Sequence, residues 1–478
     1  MKCIFYSSLF VLGISISGYA KIDSVRIAGH IDHLNEGDHV VLLVHKYGPF
    51  SIKPFVTKYL VKSINHSFKF VIPVLSNQES IDIEMPMGGM SYYNYFIAGT
   101  DNITLFEKRG VAIFKGEGAL KYNVQHHLQC IYKFYAESSG FTYSFDSERE
   151  FEVFLCILDL VKINSIDYLK TLKGQLSIKD YLLLRSEVLL LNEVMKNNKL
   201  GLLVACPDSI RRKVLTVINK YKSNSEQLGV SYAFSENKVI RESPFYLKYI
   251  LSSYEIDSCI SVNKSFSIKK CYLYIREHFS GVLRERLITQ FVYENKLRAS
   301  EDLPFIINDA VGYLRHQDYK SVLIKLKKSY LVGVKAYDFS LHDINGIEKH
   351  LSDFKGKVVL IDFWFTGCGA CRQVHPILDS LKRKYDGRPF ELISVCVDFK
   401  NDSWQKSVRT GTYTSLQNVN LFAGGLSKNS PVIKYYDLTS YPTLLLIDKN
   451  GKMCNPPIDP RLDNARELVK QIDVALIK

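Results

Sequence analysis

The run Lys357-Val358-Val359-Leu360-Ile361-Asp362-Phe363-Trp364 and the segment after it constrain the fold more than any other part of the chain. The run is apolar almost throughout and reads as a buried strand. Phe365-Thr366-Gly367 makes a short turn. An amphipathic helix follows, with Val374, Ile377, Leu378 and Leu381 on one face and Arg372, Lys382 and Arg383 elsewhere. Between strand end and helix start stands Cys368-Gly369-Ala370-Cys371. A bare C-x-x-C is weak evidence, since chance alone supplies about 0.2 of them in a chain with this many cysteines. The setting is what matters. There the first sulfur meets the free N–H groups and the positive end of the helix dipole, which favour thiolate.

Four features in order resemble the thioredoxin family, and within it the extracytoplasmic TlpA-like branch of AhpC/TSA-redoxin type. Ala336-x-Asp338-Phe339-x-Leu341, followed by Leu351-x-Asp353-Phe354-Lys355-Gly356-Lys357, is similar to that branch's opening hairpin. Asp362-Phe363-Trp364 precedes the cysteines at the family's spacing. Pro376 falls five residues after Cys371, where the family kinks its active-site helix. Tyr441-Pro442-Thr443, ahead of Leu444-Leu445-Leu446-Ile447-Asp448, resembles the family's cis-proline loop. The resemblance covers roughly 331–478. It departs at Gly367, where many thioredoxins place a tryptophan, and at Ala370, which replaces the usual proline between the cysteines. Both departures bear on the redox potential rather than on the chemistry.

The resemblance implies a protein-disulfide oxidoreductase, with reduction as the expected direction. Cys368 is the expected nucleophile, on the exposed side of the motif, and Cys371 the resolving thiol. Asp362, on the strand beneath, is expected to help move the proton of Cys371. The bland alternative for Asp362 is a pair with a lysine such as Lys357. Tyr441, Pro442 and Trp364 are the expected substrate-side residues, with Trp364 packing beside the site rather than reacting. No metal and no cofactor beyond the redox-active Cys368–Cys371 disulfide are expected. The expected partners are exported protein thiols and disulfides, with a membrane-embedded thiol reductase as electron donor. The client and the direction stay open, because related C-x-x-C proteins span roughly −270 to −120 mV.

Competing readings fit the residues less well. A zinc site needs a second cysteine pair or histidines, and Cys396, Cys454 and His375 are not arranged as one. A thiol peroxidase of this fold needs Thr three residues before the reactive cysteine, and Thr366 is two before Cys368. An exported binding or scaffold protein that merely displays a thioredoxin fold remains an alternative, because most of the chain lies outside the redox part.

At 478 residues the chain exceeds one core. The expected architecture is multidomain: a leader at 1–20, a β-sandwich-like domain at 21–122, an α-helical region at 123–330 and an α/β thioredoxin-like domain at 331–478. The leader rests on Lys2, an apolar stretch from Cys3 to Ile16, and small residues at Gly18 and Ala20. It places the protein outside the cytosol, in the periplasm, and tethered to the inner membrane only if the leader is kept. Disulfides persist there. Yet the remaining cysteines are scattered, and Cys156 and Cys396, in apolar runs, read as buried small hydrophobes. The net charge of +13 is spread along the chain with no nucleic-acid-binding motif, so nucleic acid is not an expected partner, and peripheral contact with anionic membrane surfaces is compatible with it.

Within 21–122, Val25–Ile31 alternates, 40–44 reads as a buried strand, 68–72 and 81–85 follow at sandwich-like spacing, and 96–105 reads as two strands around a turn. This part loosely resembles the small β-sandwich preceding the thioredoxin domain in many exported proteins of the Bacteroidetes group. His30, His33, His39 and His45 are not at metal-ligand spacing. Further on, Ser177-Ile178-Lys179-Asp180 reads as the capped start of a leucine-rich helix running to about Asn197, and Pro207-Asp208 as the start of another. Phe279, Leu283, Leu287 and Phe291 read as one helical core stripe, and 223–243 as a polar loop.

Overall fold

The computed structural model describes residues 24–46, 52–73, 79–86, 90–138, 147–205, 208–225, 244–262, 264, 266–297, 302–426 and 429–477. The leader expected at 1–20, Cys206 and Pro207, and most of the 223–243 stretch lie outside the described residues. The chain divides into two compact units, Met1–Tyr249 and Ile250–Lys478. That division falls inside the 123–330 stretch, so its helices are shared between the two units.

The strands of the first unit follow the period-two rule that buries alternate side chains. They are β1 (Ser24–Ile31), β2 (His39–His45), β3 (Val56–Lys62), β4 (Ser67–Pro73), β5 (Ser80–Glu84), β6 (Tyr92–Phe96), β7 (Asn102–Lys108) and β8 (Val111–Glu117). They form two four-stranded sheets, ordered β4-β1-β7-β8 and β3-β2-β5-β6. Along β1, Val25, Ile27 and Ile31 are buried while Arg26 and His30 are exposed. These residues share one core with Val40, Leu42 and Val44 of β2, Ile83 of β5 and Tyr95 of β6, which makes the pair of sheets a sandwich. The stretch 96–105, expected to hold two strands around a turn, holds only the last residue of β6, then a turn and the start of β7, and the turn carries the chain from one sheet to the other. His45 Nε2 lies 2.8 Å from Asp82, His30 Nδ1 2.7 Å from Ser67 Oγ, and His33 Nδ1 3.5 Å from Glu107, so these histidines have separate partners.

Helices α1 (Ala119–Ser138), α2 (Glu148–Thr171), α3 (Ile178–Gly201) and α4 (Asp208–Ser225) follow. The expected cap of α3 is present. Ser177 Oγ accepts from the Asp180 N–H at 3.0 Å and donates to the Asp180 carboxylate at 2.7 Å. The helix runs past Asn197 to Gly201. Cys156, expected to be buried, is exposed. Along α2 the buried positions include Phe151, Phe154, Leu155, Leu158 and Val161, and the helical period turns residue 156 away from them.

Helix α5 (Pro244–Glu255) leads to α6 (Ile268–His278), α7 (Gly281–Glu294), α8 (Leu303–Tyr313) and α9 (Gln317–Tyr330). The expected stripe from Phe279 to Phe291 is broken. Phe279 is the extended C-cap of α6, and Gly281, at φ 58°, begins a new helix on which Leu287 and Phe291 are buried.

The rest of the second unit is a six-stranded sheet ordered β10-β9-β13-β12-β11-β14. Its strands are β9 (Ser340–Asp343), β10 (Glu348–His350), β11 (Val358–Trp364), β12 (Phe390–Cys396), β13 (Val419–Phe422) and β14 (Thr443–Ile447). β11 lies parallel to β12 and antiparallel to β14, and every one of its residues is buried. The expected opening hairpin is β9–β10 with the short turn Leu351–Phe354, where the Ser352 N–H donates to Asp338 at 2.9 Å. The helices are α10 (Gly369–Lys384), α11 (Asn401–Thr410), α12 (Pro431–Tyr436) and α13 (Arg466–Ile477). Val358 and Leu360 of β11 pack with Val374 and Leu378 of α10 and Leu468 and Ile472 of α13. The preceding helices are tied to the end of α12. Lys296 Nζ donates to the Asp437 carbonyl at 3.0 Å, Tyr293 OH to the Asp437 carboxylate, and Tyr330 OH to the Tyr436 carbonyl. No helix among the described residues is long and apolar enough to cross a membrane.

Candidate active site

Strand β11 ends at Trp364, the turn 365–367 reverses the chain, and α10 begins. Gly367 takes φ 98°, a conformation that side-chain-bearing residues rarely adopt, which accounts for a glycine here. Its N–H donates to Tyr413 OH at 2.9 Å. Thr366 is held by Asp398, through its N–H at 2.8 Å and its hydroxyl at 2.6 Å. The turn therefore delivers Cys368 to the N-cap of α10, where the Cys371 N–H donates to Cys368 Sγ at 3.1 Å. A free N–H and the helix dipole both favour negative charge on that sulfur when the pair is reduced.

Cys368 and Cys371 are joined by a disulfide, with their Cα atoms 5.2 Å apart. Cys368 is 5% exposed and Cys371 2%, so the expected outer–inner order holds only narrowly. Cys368, the expected nucleophile, is more covered than the sequence suggested, because the loop at 441 closes over it. The Tyr441 carbonyl lies 3.7 Å from Cys368 Sγ, and the Tyr441 ring meets Phe365 edge-on at 5.7 Å. The Tyr441–Pro442 bond is cis. Beside Pro442 a groove of about 420 Å³ runs past Ser440, Thr443, Ile458, Pro460 and Leu462.

Asp362 shares the β11 face of Val358 and Leu360, the face that α10 covers. It is 4% exposed, and its Oδ1 has no hydrogen-bond partner. Burial pushes its pKa up to about 7. The alternative of a pair with Lys357 fails, since Lys357 Nζ donates to Glu391 at 2.8 Å. Pro376 lies inside α10, as expected.

Trp364, expected among the substrate-side residues, is fully buried and has no surface to offer a client. Its ring stacks on Tyr413 at 5.3 Å and its Nε1 donates to Ser394 Oγ at 2.6 Å. Through Tyr413 it braces the turn that carries Cys368. Tyr413, Ser394 and Asp398 escaped the sequence reading, and no local signal marks them, because they lie 30 or more residues from the groups they hold. Cys396 is buried in the same cluster as the two motif cysteines, and burial pushes its thiol pKa up. It stays protonated there and inert as a nucleophile.

A family model described as thioredoxin-like matches residues 356–453. The chain is 29% identical over 160 residues to the thiol-disulfide oxidoreductase ResA of Bacillus cereus, covering 34% of this chain and 86% of that protein. It is 32% identical over 144 residues to ResA of Geobacillus thermodenitrificans, covering 30% of this chain and 76% of that protein. Among solved structures, the thioredoxin domain of a thiol-disulfide oxidoreductase from Bacteroides vulgatus is 26% identical, with a TM-score of 0.27, covering 30% of this chain and 98% of that one. A disulfide at the start of α10, a proline loop against its first sulfur and this likeness to ResA proteins over most of their length agree, and the chain belongs to the TlpA-like thiol-disulfide oxidoreductases of the thioredoxin family.

Proposed function

We propose that the chain is an exported, periplasmic reductase of protein disulfides. The Cys368 thiolate attacks a client disulfide, forms a mixed disulfide and releases the first client thiolate. Asp362 takes the proton of the Cys371 thiol. The Cys371 thiolate then attacks Cys368 Sγ, forms the Cys368–Cys371 disulfide and releases the second client thiolate. Two electrons pass to the client, and a membrane-embedded thiol reductase returns them. The proton step suits Asp362, because a carboxyl with a pKa of about 7 exchanges protons readily near neutrality.

The observation that carries this reading is the Cys368–Cys371 disulfide at the N-terminus of α10, with a buried, partnerless Asp362 on the strand that α10 packs against. The groove beside Pro442 supports binding of an extended client segment along the proline loop. The test is insulin-disulfide reduction by the full chain with dithiothreitol as donor. Turnover lost in Cys368→Ser is the expected result. Wild-type turnover no higher than that of Cys368→Ser would instead favour a scaffold that only displays the fold. Hydrogen-peroxide turnover exceeding disulfide reduction would favour a thiol peroxidase.

A further inference from the structure

The Met1–Tyr249 unit contains a cavity of about 260 Å³ walled largely by apolar side chains, among them Leu128, Val161, Leu191 and Phe245. Two polar side chains in its lining have atoms the protein does not satisfy. Glu187 lines the cavity, and its Oε2 is buried without a hydrogen-bond partner. Gln125 is 2% exposed; its Oε1 accepts from the Phe96 N–H at 2.9 Å, while its Nε2 has no partner. Two other lining amides are engaged within the protein: Asn192 donates to the Leu158 carbonyl at 2.6 Å and Gln129 to the Tyr93 carbonyl at 2.7 Å. No lysine, arginine or histidine is among the lining residues.

A buried carboxyl and a buried amide donor without partners are costly to a fold. Binding pockets combine an apolar wall with a few such convergent polar groups. We propose that this cavity is a binding site for a small apolar amine that also carries a hydrogen-bond acceptor, an aryl amino alcohol in chemical class. The ammonium would pair with Glu187, the acceptor oxygen with Gln125 Nε2, and the hydrocarbon body with the apolar wall. Burial, which pushes the Glu187 pKa up to about 8, is consistent with a carboxyl that lacks a counter-charge. Since a cavity of roughly 150 Å³ takes a benzene-sized guest, this one suits a guest of about ten non-hydrogen atoms. This site lies outside the redox chemistry and does not depend on it.

The experiment is calorimetric titration of the oxidised full chain near neutral pH with 2-amino-1-phenylethanol, and with 1-phenyl-1,2-ethanediol as the isostere that replaces the amine by a hydroxyl. The amine should bind at roughly millimolar concentration or below. The diol should bind at least about tenfold more weakly. Glu187→Gln should abolish that preference and leave insulin reduction unchanged. No amine binding, equal binding of the diol, or a preference retained in Glu187→Gln would each overturn the proposal. Should Glu187→Gln fail to fold, Leu191→Phe, which narrows the apolar wall, decides: at least about tenfold weaker amine binding supports the site, and unchanged binding overturns it.

Discussion

Asp362→Asn should flatten the pH dependence of stability of the redox unit. In the native protein the Asp362 pKa is about 7, against 3.8 for an exposed aspartate, and burial is the cause. Between those values the native state holds a proton that the unfolded chain has released. The favourable contribution of the neutral carboxyl is therefore fully present below about pH 4 and is lost as pH rises through about 7. That rise in pKa corresponds to about 4 kcal/mol across the window. An amide in the same place does not titrate. It carries a cost of about 1–3 kcal/mol for its own unpaired atoms at every pH, so the slope is the readout and the absolute difference is not. The assay is urea unfolding of the oxidised full chain followed by tryptophan fluorescence. The chain has 2 tryptophans. Both, Trp364 and Trp404, are buried in the Ile250–Lys478 unit, so the signal isolates that unit. With a slope of about 2 kcal/mol per molar urea, the wild-type midpoint should fall by about 2 M relative to the variant between pH 4 and pH 8. Parallel midpoint curves for the two proteins would refute the assignment of a raised Asp362 pKa, and with it the proton step proposed for Cys371.

Cys371→Ala should accumulate mixed disulfides with client proteins and Cys368→Ala should not, read on non-reducing gels; equal trapping by both would contradict the division of roles. Lys296→Met would leave the Asp437 carboxylate, 6% exposed, without its nearby cation, and should lower the stability of the unit by about 3–5 kcal/mol in the same fluorescence assay. Gly367→Ala should cost about 1–2 kcal/mol, because a side chain is strained at φ 98°; an unchanged unfolding midpoint would show that the turn relaxes freely.

The redox site was legible because most of its chemistry is local. The buried strand, the turn, the C-x-x-C spacing and the amphipathic helix occupy 357–384 without interruption, and strand-to-helix geometry then places the first sulfur at a helix start. The proline loop, far downstream, was legible only through resemblance, since nothing in its local pattern says that its carbonyl will lie 3.7 Å from Cys368 Sγ. The sandwich strands were read from period-two alternation and the α3 start from its serine cap, both rules that act within a few residues.

The misreadings share a cause. Trp364 packs beside the site as expected, but it was also expected on the substrate side, and its sequence neighbourhood does not reveal that Tyr413 and Ser394 enclose it. Cys156 sits in an apolar run yet faces out, because the side of a helix that is buried depends on what packs against it. Phe279 has helical spacing to Leu283, but the chain breaks at Ser280–Gly281 and starts again.

By itself, the sequence determined most of the elements, the C-x-x-C pair at a helix start and the family, since each depends on hydrogen bonds and side-chain periods that span a few residues. Only the tertiary structure decided which charged groups end without partners, how far Cys368 is covered, and where the helical stretch divides between the two units. Those outcomes depend on contacts between residues tens to more than a hundred positions apart, as in the Tyr293–Asp437 pair, 144 residues apart, and such contacts exist only once the chain has closed around its cores.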